Sequence, residues 1–140
     1  MAIGPVEYVV LGFPGNDFNG DVAPALAKLI QSNTIRLLDL LFVGKGADGN
    51  VLVVEYDELE ELAAFSGLEG EVGGIISHED VAHVADALKP GSSAALLIWE
   101  DVWATEFAVA VRQSGGVLLE GARIPYEIVE AVFADLPAAV

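Results

Sequence analysis

The sequence predicts an α+β fold, a ferredoxin-like plait of two βαβ units with an added hairpin strand and extra helices. Three observations carry this expectation. Residues 6–43 and 94–122 each read strand, helix, strand. A turn-rich Lys45–Asn50 (KGADGN) separates two β-branched runs as a hairpin does. Ala94–Trp99 (AALLIW) is an unbroken apolar stretch between a Pro-Gly-Ser-Ser turn and an acidic pair, as a central strand requires. Interleaving the two units through right-handed crossovers gives the strand order 117-120, 6-13, 94-100, 34-43, 51-56, with every neighbour antiparallel. The two most apolar strands then lie inside. Helices over 21–32 and 102–114 are expected on one face, leaving the other to extra helices or to a second subunit.

Val6–Phe13 (VEYVVLGF) is β-branched and aromatic, and Pro14-Gly15-Asn16 closes it. Asp21 is the expected N-cap of the first helix, with Pro24 in a turn where its missing N–H does no harm. Val22, Leu26, Leu29 and Ile30 recur at helical spacing, and Asn33 can end the helix. Thr34–Val43 (TIRLLDLLFV) is apolar on both sides of an alternating strand, so both sides should be covered. Val51–Tyr56 answers it across the hairpin. Glu58, Glu60 and Glu61 suit the positive end of a short helix that Gly67 stops, and Gly67–Gly74 (GLEGEVGG) is expected to bend. Ser77 with Asp80 forms a capping-box signal ahead of Val81, Val84, Ala85 and Leu88. Asp101 is the expected cap of a helix carrying Trp103, Phe107 and Val111 as an apolar stripe, ended by Gly115-Gly116. Val117–Glu120 (VLLE) is a short strand, and Pro125 opens a last helix bearing Tyr126, Val129, Phe133 and Leu136.

A length of 140 residues fits one domain spanning 1–140. There is no cysteine, which excludes disulfides and thiolate chemistry. Six basic residues against 22 acidic ones give a formal charge of −16, which repels nucleic acid and anionic membrane alike. The mean hydropathy is +0.53, with 54% apolar residues. That is more than one small core can hide, so a membrane or a subunit interface should take the surplus. Charges at Glu7, Asp17, Arg36, Asp39, Glu55, Glu71 and Glu100 interrupt every apolar run before the roughly 18 residues a membrane span needs. The start, MAIGPVEY, has neither a basic region nor a long apolar one, so no signal peptide and a cytoplasmic location are expected. A homo-oligomer is the expected outlet.

Chemistry is sparse. His78 and His83 are five positions apart, about 140° around a helix, so one face does not present both to a metal. Asp48-Gly49-Asn50 lacks the spaced ligands and closing Glu of a calcium loop and reads as a turn. Gly91-Ser92-Ser93 enters a strand, whereas a phosphate cradle opens a helix. No G-x-S-x-G elbow is present. The candidates that remain are Trp99, Glu100 and Trp103, aromatic and acidic residues at the end of the central strand, as ligand-binding positions. Neither a catalytic residue, a metal nor a cofactor is expected.

Gly4–Val10 (GPVEYVV), Phe13–Asn16 (FPGN), Thr34–Leu40 (TIRLLDL), Gly70–Gly74 (GEVGG) and above all Pro90–Glu100 (PGSSAALLIWE) resemble an uncharacterised bacterial domain-of-unknown-function family. That family is related to proteins labelled "membrane protein of unknown function", and the resemblance spans nearly the whole chain. Its wider members carry a longer Gly-rich apolar segment where this chain has GLEGEVGGIIS, a departure that weighs against the membrane label here. The resemblance supplies no catalytic residues. The expectation is therefore a non-enzymatic homo-oligomerising module, structural or regulatory. The alternatives are a small-ligand sensor with a site between subunits, an enzyme of the dimeric plait type, and peripheral membrane association through Gly67–Ser77.

Overall fold

Strand β4, Ser93–Glu100, has neighbours on both sides and is the most buried element of the sheet. The computed structural model describes residues 2–15, 22–55 and 75–136, and every structural statement below concerns these. In chain order the elements are β1 (Val6–Phe13), α1 (Val22–Gln31), β2 (Arg36–Lys45), β3 (Val51–Glu55), α2 (His78–Ala87), β4, a 3₁₀ turn (Val102–Ala104), α3 (Thr105–Gln113) and α4 (Tyr126–Asp135). The strands form one antiparallel sheet in the order β1-β4-β2-β3, the sequence expected for these four. Val117–Glu120, expected as a fifth strand beside β1, lies in no strand. The expected Asp21 cap and the short helix after Asp57 fall outside the described residues.

Each sheet face has its own helix. On one, Leu37, Leu40, Phe42, Ala95 and Leu97 pack with Ala23 and Leu26 of α1, and Trp99 and Phe13 border the cluster. On the other, Leu41, Val43, Ala94, Leu96 and Ile98 pack with Val84 and Ala85 of α2. Each fully buried Leu or Val of this kind is worth about 1.5–3 kcal/mol. The expectation that the first helix and the 102–114 helix share one face is corrected, while the other face is closed by an extra helix, one of the two options expected. The helix on the second face is α2, and no residue of α3 is buried. Ser77, Val81, Val84 and Ala85 carried the signal for α2, because their helical spacing leaves one side apolar.

The strand β2 contains a β-bulge. Leu37 pairs with Trp99 and Asp39 with Ile98, so Leu38 is an extra residue in the ladder. In a regular strand residues two apart share a face. The inserted Leu38 therefore puts Leu37 toward α1 and Asp39 toward α2, a re-aiming typical of bulges.

Local chemistry fixes the connections. Asn33, at φ 58°, takes the left-handed position that ends α1. The β2–β3 hairpin closes through Gly46 N–H to the Asn50 carbonyl at 2.8 Å, with Asp48 Oδ1 accepting from Asn50 N–H and Gly49 at φ 87°. Ahead of α2, Ser77 Oγ accepts from Asp80 N–H and Asp80 Oδ2 from Ser77 N–H, a reciprocal capping box. Ser77→Ala is expected to cost about 1 kcal/mol in urea unfolding. The backbone N–H of Ser77, and then its hydroxyl, hold the Asp80 carboxyl below its ordinary 3.8. A depressed folded-state pKa contributes stability above the unfolded value, lost as the pH falls through the lowered one. Between about pH 5 and pH 2 the stability of Asp80→Asn should therefore fall less steeply than that of the parent chain. An equal slope would refute the linkage.

Two compact units divide the chain, residues 1–110 and 111–140. The sheet and its two covering helices belong to the first. In the second, α3 ends in a Schellman arrangement, with Gly116 N–H on the Val111 carbonyl, Gly115 N–H on that of Arg112, and Gly115 at φ 77°. Gly115-Gly116 thus ends the helix as expected.

Candidate functional site

The acidic end of β4 is built from two adjacent residues that point to opposite faces. Glu100 pairs with Val6 and Arg36, and Trp99 with Glu7 and Leu37. Glu100 is buried at 5% exposure. Its Oε2 accepts from Gly4 N–H at 2.8 Å, and its Oε1 meets the Arg36 guanidinium at 2.9 Å. The chain closes over it as Asp101 N–H donates to the Pro5 carbonyl at 2.7 Å. Gly4 is needed at this crossing. A Cβ there would fall on the Asp101 carbonyl oxygen and 2.9 Å from Thr105 Oγ1.

Trp99 packs against the α1-side cluster, and its indole N–H donates to Asp101 Oδ1 at 2.9 Å. Asp101 makes no side-chain cap, so its expected capping role is corrected. The carboxylate is turned to the Trp99 indole, and the chain enters the following helix through the 3₁₀ turn, where Ala104 N–H donates to the Asp101 carbonyl. Trp103 is 70% exposed, and its backbone N–H reaches the Thr34 carbonyl. The expected apolar stripe does not face the core, for Phe107 is 74% exposed. Trp99 and Glu100 thus point to opposite sides of the sheet, and Trp103 lies largely in solvent. A groove of about 530 Å³ beside Glu100 includes Ile3, Asn33, Arg36, Thr105 and Glu106 in its lining.

Asp39 is a second polar centre. It is 2% exposed, in the α2-side face. Its Oδ2 accepts from Ile75 N–H at 3.0 Å and Ile76 N–H at 2.8 Å, and Oδ1 accepts from Leu40 N–H at 2.9 Å. The carboxylate thereby ties the approach to α2 onto the central sheet. A depression of about 420 Å³ beside it has Leu41, Val53, Ile76, Ser77 and His78 among its lining residues. Sequence reasoning treated Asp39 only as a charge interrupting an apolar run. One carboxylate among Leu37, Leu38, Leu40 and Leu41 was the available signal, since a buried charge needs donors. Among the described residues no group of three His, Asp or Glu is placed to hold a metal ion. His78 and His83 are both exposed on α2.

The match of a family model to residues 2–140 decides the kinship of the chain. The chain belongs to a family of unknown function, DUF6325. No curated protein and no solved structure matches it. Membership covers the sheet, both covering helices, Asp39 and the Gly4–Glu100 crossing together. Among the described residues no helix of this member is long and apolar enough to cross a membrane.

Proposed function

We propose that the chain is a non-enzymatic α+β module that assembles with copies of itself in a structural or regulatory role. The observation that carries this reading is the large apolar surface that the two covering helices leave exposed. Trp103 and Phe107 stand one helical turn apart at 70% and 74% exposure, and Tyr8, Val10 and Leu11 of β1 are exposed as well. Apolar surface of this extent on a small protein marks an interaction site. Because α1 and α2 cover the sheet faces, the surplus falls on the β1 edge and the 3₁₀–α3 stripe. We read the sheet as the frame of a ferredoxin-like plait, since β1 and β2 flank β4 as in a split βαβ unit. The charge of −16 favours a cytoplasmic protein without a nucleic-acid partner.

Sedimentation equilibrium at micromolar concentration tests the assembly, and a pure monomer would overturn it. Copies with like charge repel across about 30 Å at 0.01 M salt and about 8 Å at 0.15 M. The assembled fraction should therefore rise with added salt, and dissociation by salt would point to ion pairs instead.

The alternative of a small-ligand sensor draws on the depression beside Asp39, where His78 and Ser77 bring polar groups to an apolar lining. A metabolite panel that raises the melting temperature would favour it, by mass action on the folded state.

A further inference from the structure

We propose that Val117–Glu120 of one copy adds as a fifth strand to the outer edge of β1 in a second copy; this rests on the assembly reading and names its surface. The first observation is the edge. β1 pairs with β4 through eight consecutive residues without a bulge, and no strand lies on its other side among the described residues. Edge strands are normally blunted by Lys, Pro or a bulge. VEYVVLGF has none of these, and Glu7 is its single charge. The other edge strand, β3, has five residues against the eight of β1.

The second observation is a segment suited to that edge. Val117, Leu118 and Leu119 are 75%, 85% and 91% exposed, in a segment outside any helix that pairs with no strand. The unit of residues 111–140 has no buried residue among those described. Its helix α4 has ten residues, and isolated helices below about 12–15 residues are marginal in water. Tyr126 and Phe133, at 72% and 67% exposure, offer about 150–250 Å² each toward the roughly 800 Å² per partner of a standard interface. Such an arm gains order by docking. An edge strand accepts it through main-chain hydrogen bonds, with alternate side chains meeting Tyr8 and Val10.

Charge and symmetry favour a second copy as the occupant. Arg112 and Arg123 against Glu120, Glu127, Glu130 and Asp135 leave the arm at −2, whereas the remainder carries −14 of the total −16. Carrying −2 of the total −16, the arm meets another copy with less repulsion than the remainder of the chain taken as a whole. Reciprocal exchange also closes: two arms satisfy two edges around a two-fold axis and leave neither edge open to further growth.

The chain has no native cysteine, so full-length single-cysteine variants read the contact directly. Tyr8→Cys or Val10→Cys, the two covering the register, is mixed with Leu118→Cys under mild oxidation. A dimer in sedimentation, with disulfide yield in the mixture several-fold above that of either variant alone, is the expected result. Leu118→Pro removes a strand donor and should give monomers that keep the circular dichroism of the sheet. A monomeric parent chain would overturn both this inference and the assembly reading. A dimer that survives Leu118→Pro and gives no mixed cross-link would leave assembly standing and overturn the arm. Cross-linking confined to a chain carrying both cysteines would overturn the second copy as the occupant.

Discussion

Asp39→Ala is expected to cost about 3–5 kcal/mol, the largest loss from any single substitution considered for this chain. The carboxylate accepts from the backbone N–H groups of Leu40, Ile75 and Ile76, and the Leu40 and Ile76 bonds are buried. Alanine removes three acceptor contacts and strands the buried Leu40 and Ile76 donors, while Ile75 N–H is only part-buried. A stranded buried donor costs about 1–3 kcal/mol. An amide in place of the carboxylate would keep one oxygen but turn an NH₂ toward the other donors, so Asp39→Asn should recover only part of the loss. Urea unfolding followed by circular dichroism measures both. Since a domain of this size holds only about 5–15 kcal/mol, Asp39→Ala should remove a large share of the stability and lower the urea midpoint markedly. A loss under about 1 kcal/mol, no more than an ordinary hydrogen bond, would mean that the tie between β2 and the approach to α2 is dispensable.

The second large effect is expected at Gly4. An added methyl meets the Asp101 carbonyl, which is backbone and does not yield as a flexible side chain does. The strap over residues 2–5 must shift, which breaks the Gly4 N–H bond to Glu100 and leaves that buried carboxylate with Arg36 alone. Overpacking and the lost hydrogen bond together suggest about 3–4 kcal/mol. Gly12→Ala is the control, because nothing lies within 4 Å of its added Cβ, and it should be neutral or slightly stabilising. Equal urea midpoints for the two variants would refute the steric account. Arg36→Met should cost more than the roughly 1 kcal/mol of an exposed ion pair, since the Arg36 side chain is half exposed but its buried partner Glu100 loses a counter-charge.

The order of the four paired strands was legible because it follows from few local signals. The apolar run of β4, the Lys45–Asn50 turn and the helix between β1 and β2 leave little topological freedom. The Ser77–Asp80 box was legible for the same reason, since both partners lie within one helical turn. What escaped depends on distant neighbours. Trp103 and Phe107 have the spacing of a helix face, but spacing does not say whether that face meets protein or water. Asp101 has the chemistry of a cap, and the Trp99 indole two residues away outcompetes that role. The bond from Glu100 to Gly4 spans 96 positions of sequence, beyond any periodicity argument.

The surplus residue Leu38 gives the centre of the sheet an unusual tolerance. Removing one residue from an inner strand normally moves everything beyond the cut to the wrong side of the sheet. Here excision of Leu38 leaves Leu37 and Asp39 adjacent and still facing opposite ways, with their present partners on β4 unchanged. The chain thus has a place in an inner strand where it can lose a residue and keep its inside and outside straight.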